Sequence, residues 1–194
     1  MAAPYGLPPL PQPVVLFGHM MAQQPVTLVL KERAFDDFDI KGLDGARWMH
    51  IEGKLFSLHA RKKVYDYQGQ YLFDIIKEPF HIHTTFICED ANRGAQYMQV
   101  KSKFKLLGSE ANATFTTANG VPATLTVRGN WFDTSADIVD ANTGALVARI
   151  DRQLFNAREL ILGHQTYHVT IAPGADIALV VAMCVCLDEK RNER

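Results

Sequence analysis

The chain has 194 residues, 47% of them apolar and 21% charged, with 20 Lys and Arg against 21 Asp and Glu for a formal net charge of −1. A domain of this length buries roughly 70% of the surface its unfolded chain exposes, so one core can form without disulfides or a structural metal. A balanced charge removes the attraction behind most non-specific nucleic-acid affinity, so no nucleic-acid partner is expected and any polyanion must be held by a local patch.

Five of the nine prolines, Pro4, Pro8, Pro9, Pro11 and Pro13, lie in the first thirteen residues. Residues 1–12 therefore read as an extended, flexible lead-in, whose removal is expected to leave the melting midpoint nearly unchanged. Pro8 to Pro11 spells a PxxP that a proline-binding groove can read. The first charged residue is Lys31, and the longest early apolar run, Val14 to Phe17, is too short for a signal peptide. Cys88, Cys184 and Cys186 form an odd set that suits buried reduced thiols and a cytoplasmic protein.

From about residue 26 short apolar alternations take over, separated by turns with a regular spacing. Gly45, Gly69, Gly94, Gly120 and Gly144 each sit in turn chemistry and are 24 to 26 residues apart, about two strands and their connections. The expected strands are Thr27 to Glu32, Phe38 to Lys41, Arg47 to Ile51, Leu55 to His59, Lys63 to Tyr67, Tyr71 to Lys77 and His81 to Cys88 in the first half. Gln96 to Lys105, Thr114 to Thr117, Thr124 to Trp131, Ala136 to Val139, Ala145 to Asp151 and Thr166 to Ile171 follow. This is a meander of roughly a dozen strands.

Ile177 to Leu187 is an unbroken apolar run, led by Asp176 and followed by Asp188-Glu189-Lys190-Arg191. It reads as a helix with an acidic residue at its amino end and basic ones at its carboxyl end. Its length of about 16 Å is half a hydrocarbon core, so no transmembrane span is expected. A helix apolar on every face must be surrounded by protein. The expected fold is mostly β, a closed antiparallel barrel of about 12 strands around a central hydrophobic carboxyl-terminal helix. The domain runs over 13–191 and leaves 192–194 as a charged tail.

The residues resemble the LURP-one-related family. Pro13-Val14-Val15, Pro25 to Glu32 and Phe38-Asp39-Ile40 with Asp44-Gly45 are similar to its opening. Leu58 to Lys62 with Tyr65-Asp66 and Gly69 looks like its basic strand and turn, Val127 to Trp131 like its "vkGnw" strand, and Ala148-Arg149-Ile150 with Arg152 like its "vA.I.rk" strand. Tyr167 to Asp176 and the apolar helix are the most specific part. The resemblance spans about residues 13 to 188 and implies a tubby-like barrel threaded by its last helix. His164-Gln165 stands where the family usually carries an acidic residue, so no role at that position carries over.

Enzyme and metal constellations mostly fail. There is no GxSxG, GxxxxGK[ST] or HExxH and no GxGxxG after a strand, and none of the four serines sits in a nucleophile elbow. No enzyme activity and no cofactor are expected. Asp37-Phe38-Asp39 with Gly42 opens like a calcium loop, but Lys41 and Trp48 stand at ligand positions. His81 and His83 share one face of an expected strand, and nothing selects a third ligand between His59 and Cys88. His164 and His168 lack helical spacing geometry, and Asn112-Ala113-Thr114 is a sequon that matters only after secretion. Cys184 and Cys186 point away from each other on a helix.

What remains is basic. Lys101, Lys103 and Lys105 alternate with Ser102, Phe104 and Leu106, which lines three ammonium groups along one strand face. Arg61, Lys62 and Lys63 form a second cluster at a strand junction. The tubby-like resemblance implies a non-enzymatic adaptor, cytoplasmic and peripheral at a membrane, that binds anionic phospholipid headgroups such as phosphoinositides. Those six residues are its candidate lipid-binding site. The alternatives are a protein-interaction module in stress or defence signalling and, lower, a phospholipid-scramblase-like protein, whose acidic calcium segment has no counterpart in Val169 to Ala175.

Overall fold

The computed structural model describes residues 6–33, 37–53, 61–79, 84–104, 109–129, 135–151 and 166–192. Its strands are β1 (Val26–Glu32), β2 (Phe38–Gly42), β3 (Arg47–Gly53), β4 (Lys62–Asp66), β5 (Tyr71–Glu78) and β6 (Thr85–Asp90). They continue as β7 (Ala95–Phe104), β8 (Ser109–Thr116), β9 (Pro122–Gly129), β10 (Ser135–Asp140), β11 (Leu146–Asp151) and β12 (Thr166–Ile171), followed by helix α1 (Ile177–Asn192). Each strand pairs antiparallel with its neighbour in sequence, and β12 closes on β1 from Val26↔Ile171 to Lys31↔Thr166. The closed twelve-stranded barrel is the architecture the turn spacing implies. The expected strand Leu55 to His59 and the start of the one at His81 lie outside the described residues.

Period-2 alternation decides the barrel's inner face. Leu28 and Leu30, Phe38 and Ile40, Met49 and Ile51, Phe73 and Ile75 are buried at 1% exposure or less. On the opposite wall Ala111, Ala113, Ala123, Ala136 and Ala148 face the core, and such small side chains leave width for a helix. Every residue of α1 from Ile177 to Asp188 is at most 1% exposed and belongs to the same core cluster, apart from Asp188 itself. The helix is buried on all sides because it carries no polar stripe, as its sequence requires.

The five regularly spaced glycines all have positive φ, from 64° to 82°, and the antiparallel meander puts their turns at one rim. Aspartates repeat there with them: Asp66, Asp90 and Asp140 each accept the amide two residues on, at 2.9, 2.8 and 3.0 Å. This turns the chain through a local side-chain bond that any solvent-facing rim tolerates. The helix enters the barrel at the same rim, after Ile171.

The lead-in is docked across that entrance. Leu7 is buried, the Leu10 amide donates to the Pro173 carbonyl at 2.9 Å, and the Val14 amide donates to Gly174 at 2.9 Å. Gly174, at φ 88°, lies where a Cβ would come within 3.4 Å of Leu10 Cβ. Residues 18–20 make one 3-10 turn, after which Ala22 exchanges hydrogen bonds with Gly174 and Ala175. Phe17 stacks on Phe73 with centroids 5.5 Å apart. Residues 6–12 of the expected flexible lead-in are docked here, where proline withholds donors but Leu7 and Leu10 supply an apolar anchor and a hydrogen bond between the prolines; residues 1–5 lie outside the described residues.

Charged side chains meet both ends of the buried run of the helix. At the amino end the Asp176 carboxylate accepts the Ala178 and Leu179 amides at 2.9 and 3.3 Å, and with its other oxygen the Leu16 and Phe17 amides at 2.9 and 2.7 Å. One buried side chain thus caps the helix and fastens the strap. At the carboxyl end Lys62, 3% exposed, points inward from β4, pairs with Glu189 at 2.9 Å and lies 5.6 Å from the centroid of the Phe38 ring.

Three outcomes follow from this packing. Burial pushes the Asp176 carboxyl up from the ordinary carboxylate range, against four amides that pull it down. The folded protein then binds this proton more tightly than the unfolded chain, so this group's contribution to stability is full below the unfolded pKa and is lost as pH rises through the raised value. Asp176→Ser, which still caps the helix but cannot reach the strap, is expected to lose about 1–3 kcal/mol and that pH slope, read from denaturation midpoints from about pH 4 upward. Deleting residues 1–12 exposes the Leu7 site at about 2 kcal/mol, a fall of about 4–8 °C in melting midpoint. Lys62→Met leaves the Glu189 carboxylate without its ammonium and is expected to cost about 3 kcal/mol in chemical denaturation.

Candidate functional site

Among the described residues the helix fills the barrel interior, and the exposed charged side chains lie on the outer face and the rims. The charged side chains there differ in what already neutralises them.

Of the first expected basic stripe, Lys101 is exposed on β7, in register with Thr85 of β6 and Asn112 of β8. Both cross-strand neighbours are neutral, so Lys101 has no acid opposite it on either side. Lys103 is two residues along the same strand, in register with Glu110. Lys105 lies outside the described residues.

The second expected cluster is taken up internally. Arg61 meets the fully buried Asp74 carboxylate at 2.5 Å and Glu89 at 3.7 Å. Lys62 belongs to the inner face, as described above, and is no surface cation. Lys63, half-buried, is in register with Glu52 on one side and Asp74 on the other. The three basic residues therefore already have acidic partners or neighbours, Asp74 and Glu89 for Arg61, Glu189 for Lys62, and Glu52 and Asp74 for Lys63. Their consecutive spacing conceals this, because β4 begins at Lys62 and shares its inward parity with Val64 and Asp66.

Sequence reading missed another set of cations, on the outer face of β1, β2 and β3. Lys31 is in register with Asp39, Lys41 with Val29 on one side and Arg47 on the other. Arg33, just past β1, ion-pairs with the buried Asp39 carboxylate, whose other oxygen lies 3.9 Å from both Arg47 and His50. Alternation in Val29-Leu30-Lys31 was the available signal for Lys31, but the strand pairing that collects the four cations is invisible in a linear string. A groove of about 280 Å³ runs between these strands, lined by Lys31, Arg33, Asp39 and Lys41 and ending at Leu43.

The thiols and metal candidates resolve simply. Cys88, Cys184 and Cys186 are all buried thiols outside any disulfide, and burial, then the adjacent Cys88 thiol, pushes Cys186 well above the ordinary thiol range, so it stays protonated. Among the described residues no three His, Cys, Asp or Glu side chains converge as a metal site. His59, His81, His83 and His164 lie outside the described residues. No helix among the described residues is long and apolar enough to cross a membrane.

Comparison with known proteins agrees with the architecture. The chain is 30% identical over 67 residues to Protein LURP-one-related 10 of Arabidopsis thaliana, a match spanning 34% of each chain, or about a third of that relative's length. The crystal structure of another Arabidopsis thaliana protein superposes with a TM-score of 0.67 over 92% of this chain and 98% of that one, at 19% identity, which establishes a shared fold. A family model described as LURP-one-related matches residues 26–188, from the first barrel strand to the end of the buried apolar run. With strands and helix both inside that match, the chain belongs to the LURP-one-related family.

Proposed function

We propose that the protein is a non-enzymatic adaptor whose barrel exterior binds anionic phospholipid headgroups, phosphoinositides in particular, and holds it peripherally at the cytoplasmic face of a membrane. The observation that carries this reading is the plugged barrel together with an exposed Lys101 flanked by neutral Thr85 and Asn112. Among the described residues the helix takes the interior space in which a small substrate could be desolvated, which favours a binding role over catalysis. Lys103 follows Lys101 on β7, with Lys105 two residues further in sequence, and each cation near an anionic surface contributes about 1 kcal/mol. Multivalent headgroup phosphates suit such a row because several weak contacts act on one ligand.

A second reading is a protein-interaction module. It is favoured by the strap, where Pro8, Pro9 and Pro11 are exposed while Leu7 and Leu10 between them hold the segment to the barrel. Prolines displayed in that way are presented without an ordering cost, as a proline-binding groove requires.

Co-sedimentation with vesicles separates the two. The protein is expected to pellet with vesicles containing phosphatidylserine or phosphatidylinositol bisphosphate but not with neutral vesicles, and to do so less as salt rises. Replacing Lys101, Lys103 and Lys105 together by Ala should weaken binding by roughly a hundredfold, from three contributions of about 1 kcal/mol. Absence of binding to every vesicle at low salt overturns the lipid reading.

A further inference from the structure

We propose that the groove between β1 and β2 is a phosphate-binding site, built by Lys31, Arg33 and Lys41 around the buried carboxylate of Asp39, with Arg47 beside them on β3, and separate from the β7 row. It stands independently of the adaptor reading, because its ligand is defined by phosphate chemistry and not by a membrane.

Cross-strand register shows that the site is costly to keep. Lys41 is directly opposite Arg47, and Lys31 is its diagonal neighbour through the Lys31↔Asp39 pair. Like charges placed opposite each other on one sheet face destabilise the sheet. The carboxylate among them, Asp39, is 5% exposed and committed to Arg33, with Arg47 and His50 at 3.9 Å from its other oxygen. Among the described residues four cations thus gather about one carboxylate, three more positive charges than it can balance. Lys31 and Lys41 have no ion pair with any described residue. Asp44, at the groove's end, is turned to its own loop, where it accepts the Ala46 amide at 3.0 Å.

Shape supports the same ligand. The groove's volume of about 280 Å³ suits a phosphate with a small carrier. Asp39 acts as a positioning residue: it ties the Arg33 guanidinium, on the chain beyond β1, to β2, where the planar fork can still offer its remaining N–H groups to an oxyanion. Two ammonium groups from adjacent strands then approach from the sides. Leu43, 58% exposed at the β2–β3 turn, forms an apolar lip at the groove's end, against which the carbon part of a phosphate ester can lie. The outer groove between β9 and β11 shows the contrast. Its Arg149 is held bidentately by Asp137 at 2.8 and 3.1 Å, and Asp151 lines the same wall, so its charges cancel internally.

The test is titration of the whole protein with inorganic phosphate and with inositol trisphosphate, followed by amide NMR shifts, alongside binding to phosphatidylcholine vesicles with and without phosphatidylinositol bisphosphate. Saturable shifts are expected over residues 29–33 and 39–47, weakened at least tenfold, or about 1.4 kcal/mol, in Lys31→Gln/Lys41→Gln. Without phosphate that double variant should melt at or above the wild type, since it relieves the like-charge contact, while phosphate should raise the wild-type midpoint and not the variant's. A Lys101→Gln/Lys103→Gln variant should leave the soluble-phosphate shifts unchanged. If vesicle binding also falls in Lys31→Gln/Lys41→Gln and in Leu43→Ser, the phosphate is a headgroup; if only the soluble ligands respond, it is carried by a free small molecule. Soluble ligands that shift all surface lysines equally, or bind the double variant as tightly as the wild type, overturn the site. Vesicle binding lost only in the β7 variant, together with soluble ligands that bind Lys31→Gln/Lys41→Gln as tightly as the wild type, would overturn the site while leaving the adaptor reading intact.

Discussion

A helix without a polar face can be kept in a closed barrel only if its unpaired end groups are satisfied where water cannot reach, and the rest of this structure is arranged around that requirement. Asp176 does it at the entrance. The same carboxylate that accepts two helix amides accepts two from the strap, so the chain's amino-terminal segment is tied to the core through the helix cap and not only by packing. At the other end the chain becomes charged within one residue of Leu187, and the barrel meets that change with Lys62, an inward ammonium on an otherwise apolar wall.

The filled interior then decides where function can lie. Barrels of modest strand number are either packed solid or hold a ligand in the lumen. Here the lumen is occupied by the chain's own helix, which leaves the outer face as the surface that carries the exposed charges among the described residues. The two rims also differ. One carries the five glycine turns, the strap and the helix entrance, all held by short side-chain-to-backbone bonds such as those from Asp66, Asp90 and Asp140. Three of the larger exposed apolar side chains, Leu43, Tyr67 and Val121, stand on turns of this rim.

The fold was legible because two signals were global: a glycine period matching two strands, and an apolar run too short for a membrane and too uniform for a surface. Strand ends were less so. Thr114 to Thr117 was read too short because Ala111 and Ala113 have little apolar signal of their own, though they face the core. Proline content hid the docked strap, since the two leucines that anchor it are sparse in sequence and meet Pro173 and Gly174 only in space. At the candidate site, consecutive cations were over-read. Arg61, Lys62 and Lys63 look like a patch in one dimension, yet strand parity sends Lys62 inward and pairing sets acids beside the other two.

Charge in this protein is therefore better judged by register than by count. A lysine directly opposite an acid is already neutralised, one opposite a neutral residue is available, and one opposite another cation raises the energy of the sheet unless an anion sits between them. Lys63, Lys101 and Lys41 illustrate the three cases in turn. With an overall charge of −1, no broad positive field gathers ligands to this surface. Whatever anion it holds must be held by such local arrangements, and the outer face of β1 to β3, where Lys41 faces Arg47 with the buried Asp39 beside them, is the place where folding alone would have chosen a different residue.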